Sequence, residues 1–476
     1  MTTVKKEKIE VMNFSGLLTK ISAVLFFMFI LLKPYYLKPS GSIGTADICL
    51  AAAAAVMLAA EILRISALMR RVNNENAGSR SSLSEIFNIC AGELLYRRDI
   101  ALYAFIVIAA VINAVYCIRL GSQEYTKYTI YWLYNGAAVW TLRKLRYSDH
   151  HLSSKLAVLL EIDIVLQFII MLSGHGRYFV EYWGAVRYMG SFNDPNQLAF
   201  FMFVSMLLIY SLKAGDTEKK KFRGYDSAEG RVSYNESWGM SKVCLLRNSE
   251  KIDSFHDSEA TDQKPAASEK VIGYIRHAVC ISAIIIIIKT KSTGIMLGVA
   301  VFAFAVWCRW IWEAMQSGRI SKKLIAAVVI ICAVCAAGLL ICIWPPVDFD
   351  VKNVEYNTLT RIQEKLWKLS QGGIGGFLID RGSGKLAAFP QYMLFGAGEG
   401  GFDRFALPGQ EINEIHCSIM SILFCYGIIP TLFMIKWTAD SFKNKNGRQF
   451  CACLALIAES MTLINYRQPM FWFLLM

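Results

Sequence analysis

One short stretch of the chain brings together a cation, an amide and a helix start: Arg187-Tyr-Met-Gly-Ser-Phe-Asn-Asp-Pro-Asn-Gln197. Asp194 suits an N-cap, Pro195 the first helical position, and Gln197 the place where a capping box wants Glu or Gln. The first turn of such a helix presents backbone N–H groups with positive dipole character. With Arg187 just upstream, that suits a phosphate or another anion. A plain capped helix with a snorkelling arginine is the competing reading. The second candidate is His416, one of six histidines. It opens a helix straight after a long loop, where the N-terminal dipole disfavours the imidazolium form. A neutral imidazole there is fitted to take a proton from an attacking hydroxyl; an interfacial hydrogen bonder is the alternative.

The elements that must position these residues are membrane spans. The 476 residues are 55% apolar and only 18% charged, with mean hydropathy +0.39, which excludes an ordinary soluble domain. The net charge of +13 is spread between apolar runs and points to loops facing anionic lipid, not to nucleic acid. Most of the 13 cysteines lie inside apolar runs, and none has a metal-ligand spacing with histidine. The basic start 1–13 precedes an apolar run without a cleavage site and reads as a cytoplasmic N-terminus before an uncleaved first span.

A crossing helix needs about 20 mostly apolar residues. Candidate spans are Leu17–Leu32, Ala46–Ile65, Asp99–Ile118, Tyr128–Leu145, Leu156–Ser173, Pro195–Leu212, Val271–Ile288, Thr293–Trp312, Leu324–Trp344, His416–Trp437 and Phe450–Ile464. Phe471–Met476 is a truncated twelfth helix or an interfacial tail. The expected fold is therefore an all-α polytopic membrane protein of about 11–12 spans: 14–213 holds the first six, 271–344 three more, and 416–476 the C-terminal ones. With the N-terminus inside, every inside loop is basic. Gly174–Asp194, Lys289–Ser292 and the large loop 345–415, between the ninth and tenth spans, then share the extracytoplasmic face. The inside loop 214–270 is rich in Ser, Lys, Glu and Asp without periodicity and is expected to be disordered. Glu161 and Asp163 in the fifth span and Glu459 in the eleventh are read first as structural pairing groups.

These residues resemble a known family. Arg187 with Gly190-Ser-Phe-Asn-Asp-Pro-Asn196 is similar to the "R..G.f.nPN" signature of the O-antigen ligase and O-antigen polymerase superfamily. Lys289-Thr-Lys-Ser-Thr-Gly294 is similar to its "T.SRG" turn. Phe395-Gly-Ala-Gly-Glu-Gly-Gly-Phe402, then His416-Cys-Ser and Gly427, is similar to its "fGvGpgnf … HNsyL…..GliG" segment. The resemblance covers about Leu156 to the C-terminus. Thr293 stands where the family has the arginine of its turn, and Cys417 where it has an asparagine. The family's loop arginine corresponds to Arg361 or Arg381.

The resemblance implies a GT-C-like, inverting and metal-independent glycosyltransferase without a cofactor. The donor is a polyprenyl-pyrophosphate-linked glycan, and the acceptor a glycan or a lipid-linked chain. The setting is the outer face of the cytoplasmic membrane during assembly of O-antigen, capsule or exopolysaccharide, alongside other polysaccharide-assembly proteins. His416 and Arg187 become the expected catalytic residues, with Arg187, Asn196, Lys289, Lys291, Arg361 and Arg381 on the pyrophosphate. A transporter of glycans or small solutes, coupled through the intramembrane acids, is the competing class. A scaffold acting through the 214–270 loop is a third.

Overall fold

The computed structural model describes residues 2–36, 44–75, 92, 94–149, 151–181, 184–212, 267–318, 321–346, 349–350, 356–407, 414–443 and 445–476. The expected disordered loop falls almost wholly outside them. The described chain is mostly helical, and seven helices are long and apolar enough to cross a membrane. Their outward faces carry large apolar side chains, such as Ile118 at 83% exposure, Ile341 at 76% and Phe304 at 63%. A surface that apolar needs lipid around it, and the protein is a multi-pass membrane protein.

Among the described residues, four of the eleven expected spans are not among these seven, for identifiable reasons. In chain order the first helices are α1 (Thr2–Leu32), α2 (Thr45–Glu75), α3 (Ile100–Leu120), α4 (Glu124–Ser148) and α5 (Leu152–Leu172). The last two have the length, but they carry polar side chains into the bundle. Asn135, Thr141 and Lys144 of α4 are buried, as is Asp163 of α5. Glu161 of α5 pairs with Arg276 at 2.7 Å. At the centre is α6 (Pro195–Leu212), apolar on nearly every face and buried on nearly every face. Around it pack α7 (Ala267–Thr290) and α8 (Thr293–Gln316), while α9 (Lys322–Ile343) lies at the edge with none of its apolar window buried.

One departure from the expected all-α fold, and one helical segment beyond the expected spans, occur near the loops. A hairpin of β1 (Arg177–Val180) and β2 (Val186–Gly190) pairs antiparallel ahead of α6. The large loop is itself helical over α10 (Thr358–Asp380), kinked at Gly373, and over the short α11 (Gly384–Ala388).

The expected tenth span is two helices, α12 (Ser418–Tyr426) and α13 (Ile428–Phe442), parted at Gly427, whose φ is 78°. The extended segment 393–398 runs alongside the break. Ala397 and Gly398 donate their N–H groups to the carbonyls of Phe424 and Cys425, and Ile428 donates to Met393. Helix-end carbonyls and N–H groups that lipid could not satisfy are thereby paired. The expected eleventh span, α14 (Gly447–Ser460), is only 14 residues. After the turn 461–468 the chain reverses as α15 (Pro469–Leu475), which is neither an interfacial tail nor a crossing helix. All seven of its residues are buried, and Lys445 before α14 donates to the Leu474 carbonyl.

Candidate functional site

The hairpin, the α7–α8 turn and the large loop meet at one end of the bundle. Arg187 on β2 is 7% exposed. Its Nε donates to the Thr290 carbonyl at 2.9 Å, Nη1 to Glu181 at 2.9 Å and Nη2 to Asn196 Oδ1 at 2.7 Å. Ser292 donates to the same Asn196 oxygen at 3.0 Å. One arginine fork thus ties the hairpin, the start of α6 and the end of α7 together. Three of its five N–H donors are committed, and among the described residues the other two have no partner.

Asp194 is the N-cap of α6, as expected, with its carboxylate accepting from the N–H groups of Asn196 and Gln197. Those N–H groups are therefore occupied by a built-in carboxylate, and the helix start does not offer them to an anion. Gln197 accepts from Tyr36 and does not close a capping box. Lys291 adopts a left-handed backbone, φ 54°, and its ammonium donates to the Tyr356 carbonyl at 2.8 Å, fastening the α7–α8 turn to the large loop. Lys289 is exposed and joins none of these contacts among the described residues.

Arg361 lies 5.2 Å over the Tyr356 ring and pairs with Glu364 at 3.0 Å. Arg187 lies within electrostatic reach of that same tyrosine. One turn along α10, Lys365 is crowded by Arg361, Lys368 and Arg381, with Glu364 as its counter-ion. Burial, reinforced by those cations, pushes the Lys365 ammonium down to about 8. Burial works against ionisation of Glu364 too, but Lys365, Arg361 and Lys368 outweigh it and hold its carboxyl below the usual range. Arg381 donates to the Thr462 carbonyl at 3.1 Å, and its own carbonyl accepts from the His416 N–H at 2.8 Å. Thr462 packs so closely on α8 that a Cβ at Gly294 would lie 2.3 Å from its hydroxyl.

A continuous path of contact therefore leads from Arg187 through Asn196, Ser292 and Gly294 to Thr462, Arg381 and His416. The two expected catalytic residues lie at the same end of the bundle. Burial pushes the His416 imidazole below its ordinary value of 6.5; Glu414 opposes this, while Arg381, Arg467 and Lys385 add to it.

Arg361 and Arg381, alternatives in the sequence, are both present, at opposite ends of one helix. Sequence reasoning passed over Lys365, although Arg361, Lys365 and Lys368 at spacings of four and three mark one basic helix face. Glu399 had no role there beyond its place in the Phe395–Phe402 motif, and Glu414 and Arg467 had none. Arg467 interrupts the apolar run before α15, and that interruption was the available signal.

Chemically, the cluster offers fixed positive charge to a group developing negative charge, beside an imidazole that favours its neutral, proton-accepting form. Comparison with protein-family models and with curated proteins finds no match for this chain.

Proposed function

We propose that the protein is an integral-membrane glycosyltransferase that extends or transfers a polyprenyl-pyrophosphate-linked oligosaccharide. The observation that carries the reading is the gathering of Arg187, Arg361, Lys365 and Arg381 around one end of a membrane bundle, with His416 adjoining them. A lipid-linked donor needs a site at membrane level, and a diphosphate leaving group needs cations already in place where its charge grows. Arg187, with Arg361, Lys365 and Arg381, would hold the diphosphate. His416 would take the proton of the acceptor hydroxyl as that oxygen attacks the anomeric carbon, and the bond to the diphosphate breaks on the opposite face, inverting the sugar. The basic loops at the other end favour an extracytoplasmic site, and the motifs at 187–196, 289–294 and 395–402 favour the O-antigen polymerase and ligase superfamily.

The test is glycan length in membranes carrying Arg187→Ala or His416→Ala. Both variants are expected to leave only unextended repeats; wild-type chain length in both would refute the assignment.

A second reading, ion-coupled transport, draws on Asp163. It is fully buried in α5, and its carboxylate has no hydrogen-bond partner among the described residues. Transport lost in Asp163→Asn, with glycan length unchanged, would favour it.

A further inference from the structure

Beside the cation cluster lies a buried ionic chain that the chemistry above leaves unused. Glu399 is fully buried. Its carboxylate accepts from Trp132 Nε1 at 3.0 Å, from the Tyr426 hydroxyl, from the Tyr466 hydroxyl at 2.8 Å and from Arg467 Nε at 2.7 Å. Its backbone N–H donates to Asn113 Oδ1 at 2.8 Å. A carboxylate has about four acceptor sites, so this one is saturated and held rigid. Trp132 lies about 12 Å along α4 from its start, so the charge sits well inside the bundle.

The chain continues outward. The Arg467 guanidinium lies 4.4 Å over the Tyr128 ring, and its second branch donates to Glu414 at 2.5 Å. Glu414 stands two residues before His416. The short segment between them rests on the turn after α10: the His416 N–H bonds the Arg381 carbonyl, and a Cβ at Gly382 (φ 82°) would lie 3.1 Å from the Glu414 carbonyl. The charged groups facing His416 are Glu414 on its own segment, Arg381 at the end of α10, Lys385 on α11 and Arg467 before α15. Only Glu414 among them is acidic.

A buried ion pair is a poor way to gain stability, since apolar packing of similar volume does as well or better. What this one does achieve is direction: it fixes a carboxylate on the same short segment as the imidazole, two residues before it. We propose that Glu399, Arg467 and Glu414 form a positioning relay in which the buried Glu399 fixes Arg467, Arg467 fixes Glu414, and Glu414 holds a negative charge on the His416 segment among the surrounding cations. The relay rests on the reading of His416 as the base, but it can be measured without substrate.

The experiment follows carbethoxylation of His416 by diethyl pyrocarbonate across pH, read by mass spectrometry on the full-length protein in nanodiscs. Only the neutral imidazole reacts. Glu414→Gln removes the one acidic neighbour among the described residues and is expected to move the midpoint of reaction down by about one pH unit. Arg467→Lys, which keeps the charge but loses the fork, is expected to shift it in the same direction by less. Glu414 is partly exposed, so its variant should retain the wild-type melting temperature. Asp440→Asn, in the exposed part of α13, serves as the control that leaves the midpoint in place. A folded Glu414→Gln protein with an unmoved midpoint overturns the relay. A shifted midpoint in the variant, with no glycan transfer by the unsubstituted protein, would keep the relay and overturn the proposed function instead.

Discussion

Arg187 binds three backbone or side-chain acceptors from three segments, which a lysine cannot imitate with one ammonium. Arg187→Lys is therefore expected to lower the transfer rate by about 10²-fold, measured as initial rate of glycan extension; a rate within twofold of wild type would show that charge alone suffices. The pH dependence follows from two other side chains. His416 must be neutral to accept a proton, and burial holds its imidazole below 6.5, so the acid limb of the rate should lie below that pH. Lys365 must be protonated to hold an anion, and its charge is lost as pH rises through about 8. Donor affinity should weaken above that pH, and Lys365→Arg should carry it to higher pH. An unaltered KM profile in Lys365→Arg would remove that lysine from the donor site.

At the scale of elements, the broken helices are the least forgiving parts. A Cβ at Gly396 would meet the Cys425 carbonyl at 2.2 Å, and one at Gly427 would meet the Leu394 carbonyl at 2.3 Å, both at positive φ. Backbone cannot yield there, so either alanine variant is expected to cost about 3 kcal/mol or more and to lower the melting temperature in detergent. Gly372 on α10 has nothing within 4 Å and no positive φ. Its alanine variant should be neutral or stabilising by up to about 1 kcal/mol. Equal melting of all three would contradict the broken-helix packing.

Some of this was legible in the residues. Asp194 and Pro195 announced the start of α6, and its unbroken apolar run announced a span, though not its central, buried place. The β-hairpin was hidden because strands of four and five residues carry little periodicity. The break at Gly427 was hidden because an apolar run reads the same whether its helix is whole or parted. What parts it, the 393–398 segment, lies far away in sequence. The pairing of Arg467 with Glu399 went unnoticed because a buried pair is defined only by folding.

For the whole molecule, the hairpin end and the end bearing Glu61–Lys144 and Asp99–Arg143 lie on opposite sides of the bundle. The excess of lysine and arginine in the loops of that second end should keep it cytoplasmic. With the exposed native cysteines replaced, Lys289→Cys is expected to react with a membrane-impermeant maleimide on intact cells, and Gln316→Cys only after permeabilisation. The reverse pattern would place the cation cluster inside.

The proposed transfer releases the diphosphate at the end of the bundle that Arg187 and His416 share. Purified protein in nanodiscs, given a polyprenyl-diphosphate-linked oligosaccharide and an acceptor glycan, is expected to release polyprenyl diphosphate, visible by phosphorus NMR, in step with glycan transfer. Arg187→Ala and His416→Ala should abolish both signals. Release at the wild-type rate in either variant, or no release from the wild-type protein under any acceptor, would contradict it.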